Sequence, residues 1–288
     1  MHIMFTGIVQ KREKMKVKKL TGNELEELLA SRNSKKYIYL LHMLRNAGKP
    51  GIAVTEINGY CIDKDIVIVI KYIFDGSQFY FEVSDHDRLK YFYNKLKDIM
   101  KSSDSVMLSS DDENLFDDIE FIKLFGRHSV WKTEQYGMFG FEKDHIQDTH
   151  IRILTSEDEG RINSFREPFV RYRNNLKNAY ETCIKLKNED CKIFGYIDDS
   201  GNILGYLIAD TADGEYWDID YVYVSENARR KGIAKKLAVH YAAEIISGGG
   251  FPSYGTPENA ASEKVALSAG FELFERRYNT SWVPAECF

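Results

Sequence analysis

Val222-Tyr223-Val224-Ser225-Glu226-Asn227-Ala228-Arg229-Arg230-Lys231-Gly232-Ile233-Ala234-Lys235-Lys236-Leu237 carries the reading of this chain. An extended apolar run turns sharply and continues as a helix, and Arg229, Arg230, Lys231, Lys235 and Lys236 bring positive charge with no acid among them. The first turn of a helix leaves its N–H groups without intrahelical partners and carries a partial positive charge. A structural helix therefore prefers Asp or Glu there, so basic residues at that end point to an anion, and a diphosphate suits the pattern. Gly232 and Ala234 are small where the backbone would have to approach the ligand. The plain alternative, a solvated basic helix, does not account for basic residues placed against the dipole.

Working outward, the sequence predicts the helix over about Arg230 to Ile246, with Ile233, Leu237, Tyr241 and Ile245 recurring every fourth residue and Gly248-Gly249-Gly250 ending it. Three strands precede it, Lys192 to Ile197, Ile203 to Ala209 and Tyr216 to Val224, separated by Gly-containing turns. A strand over Phe251 to Tyr254, a helix over about Ala260 to Ala269 closed by Gly270, and a strand from Phe271 follow. Ile151 to Leu154 reads as a short strand that opens this unit, with helical segments between it and Leu186.

The first half is less regular. Thr21-Gly22-Asn23-Glu24 is a capping box, a helix spans about Ser34 to Arg45, Ile66 to Ile70 and Phe79 to Val83 flank an Asp75-Gly76 turn, and a helix spans about His86 to Met100. A short strand at Val106 to Leu108, a helical face of Leu115, Ile119 and Ile122, and strand material from Phe125 to Phe141 complete it. The fold class is thus α+β with a mixed sheet. The expected division is an extension at 1–14, an α+β domain at 15–147 and a second domain at 148–288.

Composition narrows the function. The chain has 288 residues with 39 basic against 44 acidic side chains, a net charge of −5 that argues against a nucleic-acid surface. No apolar run approaches the roughly 18 residues a spanning helix needs, and Met1 to Lys14 lacks a secretory pattern. Cys61, Cys183, Cys191 and Cys287 are too sparse for a disulfide scaffold and show no CxxC spacing; Cys183 and Cys191 flank what reads as a helix end and turn. His42, His86, His128, His145, His150 and His240 are scattered, so no metal site is expected. The expected location is the cytoplasm, with no membrane partner.

Arg229-x-x-Gly232-x-Ala234 after a strand resembles the acyl-CoA signature of the GNAT superfamily of N-acetyltransferases, and Asn259-x-x-Ser262 followed by Ala269-Gly270-Phe271 resembles its helix after the fifth strand. The resemblance covers roughly the second half of the chain, and Tyr254-x4-Asn259-x-x-Ser262 leans towards the glycine N-acyltransferase-like branch. It implies a sheet splayed between its fourth and fifth strands, with acetyl-CoA or another acyl-CoA as co-substrate and no metal. Val222, Tyr223 and Val224 would flank the pantetheine. Arg229, Arg230, Lys231, Gly232, Ile233, Ala234 and Lys235 would surround the pyrophosphate, and Asn259 and Ser262 would bind the pantetheine or its sulfur end. The first half lacks the signature, and a degenerate copy of the same fold is one reading of it.

Transfer of an acyl group to an amine needs a base, because a free amine is mostly protonated at neutral pH. Alternation places Asp218 and Asp220 on one face with Val222 and Val224, and Asp218 lies six residues before Val224, where some members of the family carry a carboxylate. Many relatives carry a Tyr four residues before the helix-ending Gly, to protonate the leaving thiolate. This chain has Ala266 there, which leaves Ser262, another Tyr or water. Arg166 to Arg173 falls where the family's first helices line the acceptor pocket. The expected function is an N-acetyltransferase acting on a primary amine of a small, amino-acid-like acceptor, as a monomer or homodimer. The alternative is a non-catalytic acyl-CoA-binding sensor.

Overall fold

The computed structural model describes residues 16–32, 35–49, 53–140, 148–167, 176–185, 189–211, 214–255 and 260–283. The extension at 1–14, His145, Asn259, Cys287 and most of the Arg166 to Arg173 tract therefore lie outside the described residues. In chain order the elements are β1 (Lys18–Leu20), α1 (Gly22–Arg32), α2 (Ile38–Asn46), β2 (Val54–Ile62), β3 (Asp65–Tyr72), β4 (Gly76–Glu82), α3 (Leu89–Lys101), β5 (Ser105–Ser110), α4 (Ile119–Phe125) and β6 (Trp131–Gly137). They continue with β7 (Ile151–Ile153), α5 (Glu159–Ser164), α6 (Leu176–Ala179), β8 (Cys191–Ile197), β9 (Ile203–Thr211), β10 (Tyr216–Val224), α7 (Ile233–Ser247), β11 (Phe251–Gly255), α8 (Ala260–Ala269) and β12 (Glu272–Trp282). Two compact units interleave along the chain: Met1–Leu28, Val54–Val130 and Asn279–Phe288 form one, and Leu29–Ala53 and Trp131–Tyr278 the other. The linear cut at 147/148 describes sequence; in space β6 and the segment carrying α2 group with the second unit.

In the first unit β1 to β4 pair in sequence as an antiparallel meander, and β5 joins β4 in parallel after the crossover through α3. Ile66 to Ile70 are wholly buried, which is why this strand reads as a continuous apolar run rather than an alternating one. The expected capping box is present: Glu24 N–H donates to Thr21 Oγ1, and Thr21 N–H to Glu24 Oε2. The parallel pair β4–β5 is closed from Gly76–Ser105 to Phe81–Ser110. Ahead of α3, Arg88 is held by Asp63, Asp65 and Asp85. This unit has a hairpin followed by a crossover to a parallel strand, with β4 and β5 paired along their length.

In the second unit the strand order is β12-β6-β11-β10-β9-β8-β7. One face packs on α7 and α8. There Leu207, Ala209, Trp217 and Ile219 meet Ile233, Leu237, Tyr241 and Ile245, the four residues expected from the helical period. Burying each such large apolar side chain contributes about 1.5–3 kcal/mol. The opposite face packs on α5, α6 and the wide turns at Tyr180–Lys185, through Leu154, Ile162, Leu176, Tyr180, Ile193, Tyr206 and Ile208. Cys183 and Cys191 form a disulfide at the edge of this layer, Cα atoms 5.5 Å apart. Sequence spacing did not show this pairing, because it depends on the return of β8 beneath the turns.

α7 begins at Ile233, not at Arg230, because Arg230 and Gly232 both adopt left-handed backbone, at φ +62° and +78°. Glycine reaches this region without the steric cost that other residues meet. β10 carries a bulge: Asp218 and Ile219 register with Asp210 and Ala209, but Tyr221 registers with Ile208, which leaves Asp220 extra. Side-chain parity reverses across it. Asp218 therefore shares a face with Tyr221 and Tyr223, while Val222 and Val224 join the α7 face with Ile219. This overturns the simple alternation that grouped Asp218 with Val222 and Val224.

Candidate active site at a fork in the sheet

β10 and β11 run parallel and pair only at Tyr216–Phe251, Trp217–Pro252 and Asp218–Ser253. Beyond that point β10 continues six residues to Val224, on the order of 20 Å of extended chain, without β11 as a neighbour. β11 instead follows β6, pairing Ser253, Tyr254 and Gly255 with Gly137, Tyr136 and Gln135. The result is a fork with Asp218 and Ser253 in its crotch. Tyr241 of α7 ties the two strands there: its Oη donates to the Trp217 carbonyl at 2.8 Å and receives the Ser253 N–H at 3.2 Å.

The fork opens into a cavity of about 850 Å³. Val222, Tyr223 and Val224 line one arm, Tyr254 the other, and Ser262, Val265 and Ser268 of α8 close the side. At its far end stands the start of α7. The first intrahelical bond there is Lys236 N–H to Gly232 carbonyl, 3.0 Å. The N–H groups of Ile233, Ala234 and Lys235 thus point out of the helix toward the cavity that these residues line with Arg229, Arg230 and Gly232. Gly205 lets the start of α7 sit close to the sheet, since a Cβ there would come 3.2 Å from Ile233 Cγ2, besides lying 2.9 Å from the Tyr223 carbonyl oxygen of β10.

The five charges of the turn divide their work. Arg229 Nε donates to the Val224 carbonyl at 3.0 Å, which pins the turn to the end of β10. Lys236 pairs with Asp148 at 2.8 Å, away from the cavity, and with His150 it holds that carboxyl down to about 2. Arg230 and Lys235 line the cavity; Lys231 does not. Of the residues expected to hold the co-substrate, Val222, Tyr223, Val224, Arg229, Arg230, Gly232, Ile233, Ala234, Lys235 and Ser262 all line it.

Asp218 sits on the opposite face. Burial, together with the neighbouring Asp210, raises its carboxyl to about 6, against the opposing hydrogen bonds from Ser253 and the backbone. Asp210, its cross-strand partner, is likewise raised by burial and by Asp220, and burial raises Asp220. The same face carries Glu167, which accepts the Tyr206 hydroxyl and the Leu176 N–H, and burial raises its carboxyl. Phe165 lies edge-on to Tyr206 and Tyr223. Tyr39 of α2 packs at a tilt against Tyr216, whose hydroxyl donates to Ser253 Oγ at 2.7 Å. Glu167 belongs to the tract expected to line the acceptor pocket, whereas sequence reading missed Tyr206, Tyr216 and Tyr39, since no local motif brings those segments together. Ala266 of α8 is fully buried in the core.

Residues 153–271 match the acetyltransferase (GNAT) family. This segment is a GNAT acetyltransferase domain. Members of the family are acyl-CoA-dependent N-acyltransferases. Among solved structures, the chain is similar to an acetyltransferase of the GNAT family from Colwellia psychrerythraea, with 16% identity and a TM-score of 0.54 over 93% of this chain and 100% of that one. It is also similar to a GCN5-related N-acetyltransferase from Sphaerobacter thermophilus, with 13% identity and a TM-score of 0.51 over 92% and 95% of the two chains. At these identities the likeness is one of fold. No curated protein matches the chain.

Proposed function

We propose that the chain transfers an acetyl or related acyl group from acyl-CoA to a primary amine of a small, amino-acid-like acceptor. The observation that carries this reading is the fork itself, open on the α7 face to a cavity ending at helix N–H groups without intrahelical partners and on the other face to the carboxylates of Asp218, Asp210 and Asp220. The pyrophosphate would accept hydrogen bonds from Gly232 to Lys235, with Arg230 and Lys235 adding charge. The pantetheine arm would lie along Val222 to Val224, replacing the strand partner that β10 lacks there, and the sulfur end would reach Ser262 and the crotch.

The acceptor would enter from the Asp218 face. A carboxyl raised to about 6 is ionised at neutral pH yet basic enough to draw a proton from an ammonium group. Asp220 would add negative charge beside it.

Two measurements test the reading. Acetyl-CoA at a hundred times its dissociation constant should stabilise the protein by about 2.7 kcal/mol through mass action, and Gly232→Glu should abolish the shift. No shift, or an equal one in the variant, rejects the co-substrate site. Release of CoA thiol across a panel of primary amines then tests transfer; binding without turnover on any amine would favour the sensor.

A further inference from the structure

The segment from Leu176 to Lys185 begins as α6 and widens at Tyr180 into π-type turns that run to Lys185. Tyr180-Glu181-Thr182-Cys183-Ile184-Lys185 contains no Gly or Pro, so its composition is compatible with an ordinary α-helix. π-type turns are rare, closing hydrogen bonds to the fifth residue instead of the fourth, and a contact outside the segment has to hold them. The disulfide is such a contact. Cys183 is buried in the layer over β8 and β9, and its sulfur is bonded to that of Cys191, the partly exposed first residue of β8. Each residue of an α-helix turns by roughly 100°, so taking the extra residue of a wide turn into α-helical register would swing Cys183 away from Cys191.

The same segment is tied to the face assigned to the acceptor. Leu176 N–H, at the head of α6, donates to Glu167 at 2.7 Å, and the Tyr206 hydroxyl donates to the other oxygen of that carboxylate. The Tyr206 ring lies against that of Tyr223, its cross-strand partner. Leu176, Tyr180 and Cys183 pack with Tyr206 in one buried cluster, whereas Ile233 and Leu237 of α7 pack on the opposite face of the sheet.

We propose that the Cys183–Cys191 bridge is a redox latch on the acceptor face. Closed, it holds the π-type turns, and through them Leu176 and Glu167, in place. Opened by a low-molecular-weight thiol, it lets the segment return to α-helical register, which weakens acceptor binding and leaves the co-substrate site intact. The position of the acceptor rests on the acyl-CoA reading above. Opening is thiol–disulfide exchange. A small thiolate attacks the sulfur of Cys191, the more accessible partner; the S–S bond breaks, and Cys183 leaves with the electron pair. A second small thiolate attacks the outer sulfur of the mixed disulfide and releases Cys191. The protons of the two small thiols end on Cys183 and Cys191, and their two electrons reduce the bridge as they become one small disulfide. Closure is the reverse, with that disulfide as oxidant.

The test compares the full chain oxidised, reduced with dithiothreitol, and reoxidised with oxidised glutathione. Mass after alkylation reads the bridge, and amide hydrogen exchange is followed residue by residue by NMR. On reduction the amides of Leu176 and of Tyr180 to Lys185 should exchange about tenfold faster or more, those of Ile233 to Ser247 should keep their protection, and reoxidation should restore the slow rates. The melting shift with acetyl-CoA should be equal in both states. With a primary amine that turns over, read as amide product by mass, reduction should raise KM about tenfold and leave kcat nearly unchanged. Cys191→Ala should behave as the reduced protein in either buffer. Faster exchange confined to Tyr180–Lys185, with Leu176 unchanged, would make the bridge a local staple and overturn the proposal. So would equal KM in the two states, or a bridge that dithiothreitol cannot open in the folded protein. Loss of protection throughout α7 would overturn it as well, since the bridge would then support the whole unit. Absence of an acetyl-CoA shift in both states would instead reject the acyl-CoA reading, and exchange at Leu176 would still decide the latch.

Discussion

Replacing Asp218 by Asn should stabilise the folded protein while removing the carboxylate proposed as the base. Burial raises this carboxyl from its ordinary 3.8 to about 6. Between those two values the folded state holds a proton that the unfolded chain has released. More protons bound in the folded state means that stability falls as pH rises through this window and stays low above it. Roughly two units at 1.36 kcal/mol each amount to a penalty of up to about 3 kcal/mol near neutral pH. Asn cannot ionise and escapes the penalty, while retaining a polar group beside Ser253. Denaturant unfolding of both proteins across about pH 4 to about pH 7 should show a gap that opens in favour of the variant as pH rises. Transfer activity in wild type should show an acidic limb near 6, absent from the residual rate of the variant. A stability gap that does not change with pH, or an Asn variant less stable at neutral pH, would refute the argument that the site is built at a cost to the fold.

Other outcomes follow from the same geometry. Asp148→Asn removes the partner of Lys236 and His150 and should cost roughly 1 kcal/mol near neutral pH. Because the Asp148 carboxyl is held at about 2, its contribution is present above the ordinary carboxylate value and fades as pH falls, so the gap from wild type should close in acid. Gly205→Val places a Cβ 2.9 Å from the Tyr223 carbonyl oxygen and should lower stability by about 1–3 kcal/mol, with weaker acetyl-CoA binding, read by thermal unfolding with and without ligand. Cys183→Ser removes the bridge to Cys191 across a sequence separation of 8 residues and should cost about 2–3 kcal/mol under oxidising conditions. With a reducing dithiol present, wild type and variant should unfold alike; a difference that persists would show that packing of the Cys183 side chain, not the bridge, is responsible.

The order of strands and helices from Ile151 onward, the basic turn and the small residues at Gly232 and Ala234 are all local properties, and local properties are what a sequence displays. Periodicity predicted which side of α7 is buried because that face repeats every few residues along one chain segment. The phosphate-side lining was legible for the same reason: Val222 to Lys235 is one continuous stretch. The tertiary structure decided what depends on several strands at once. The bulge at Asp220 reverses side-chain parity, and only pairing with β9 reveals it. The raised carboxyl of Asp218 arises from Asp210 and from burial by segments far away in sequence. Tyr254 on one face and Asp218 on the other became opposing groups because β11 leaves β10 after three pairs. Sequence located the basic turn; the fork decided which residues line the cavity and which share the face of Asp218.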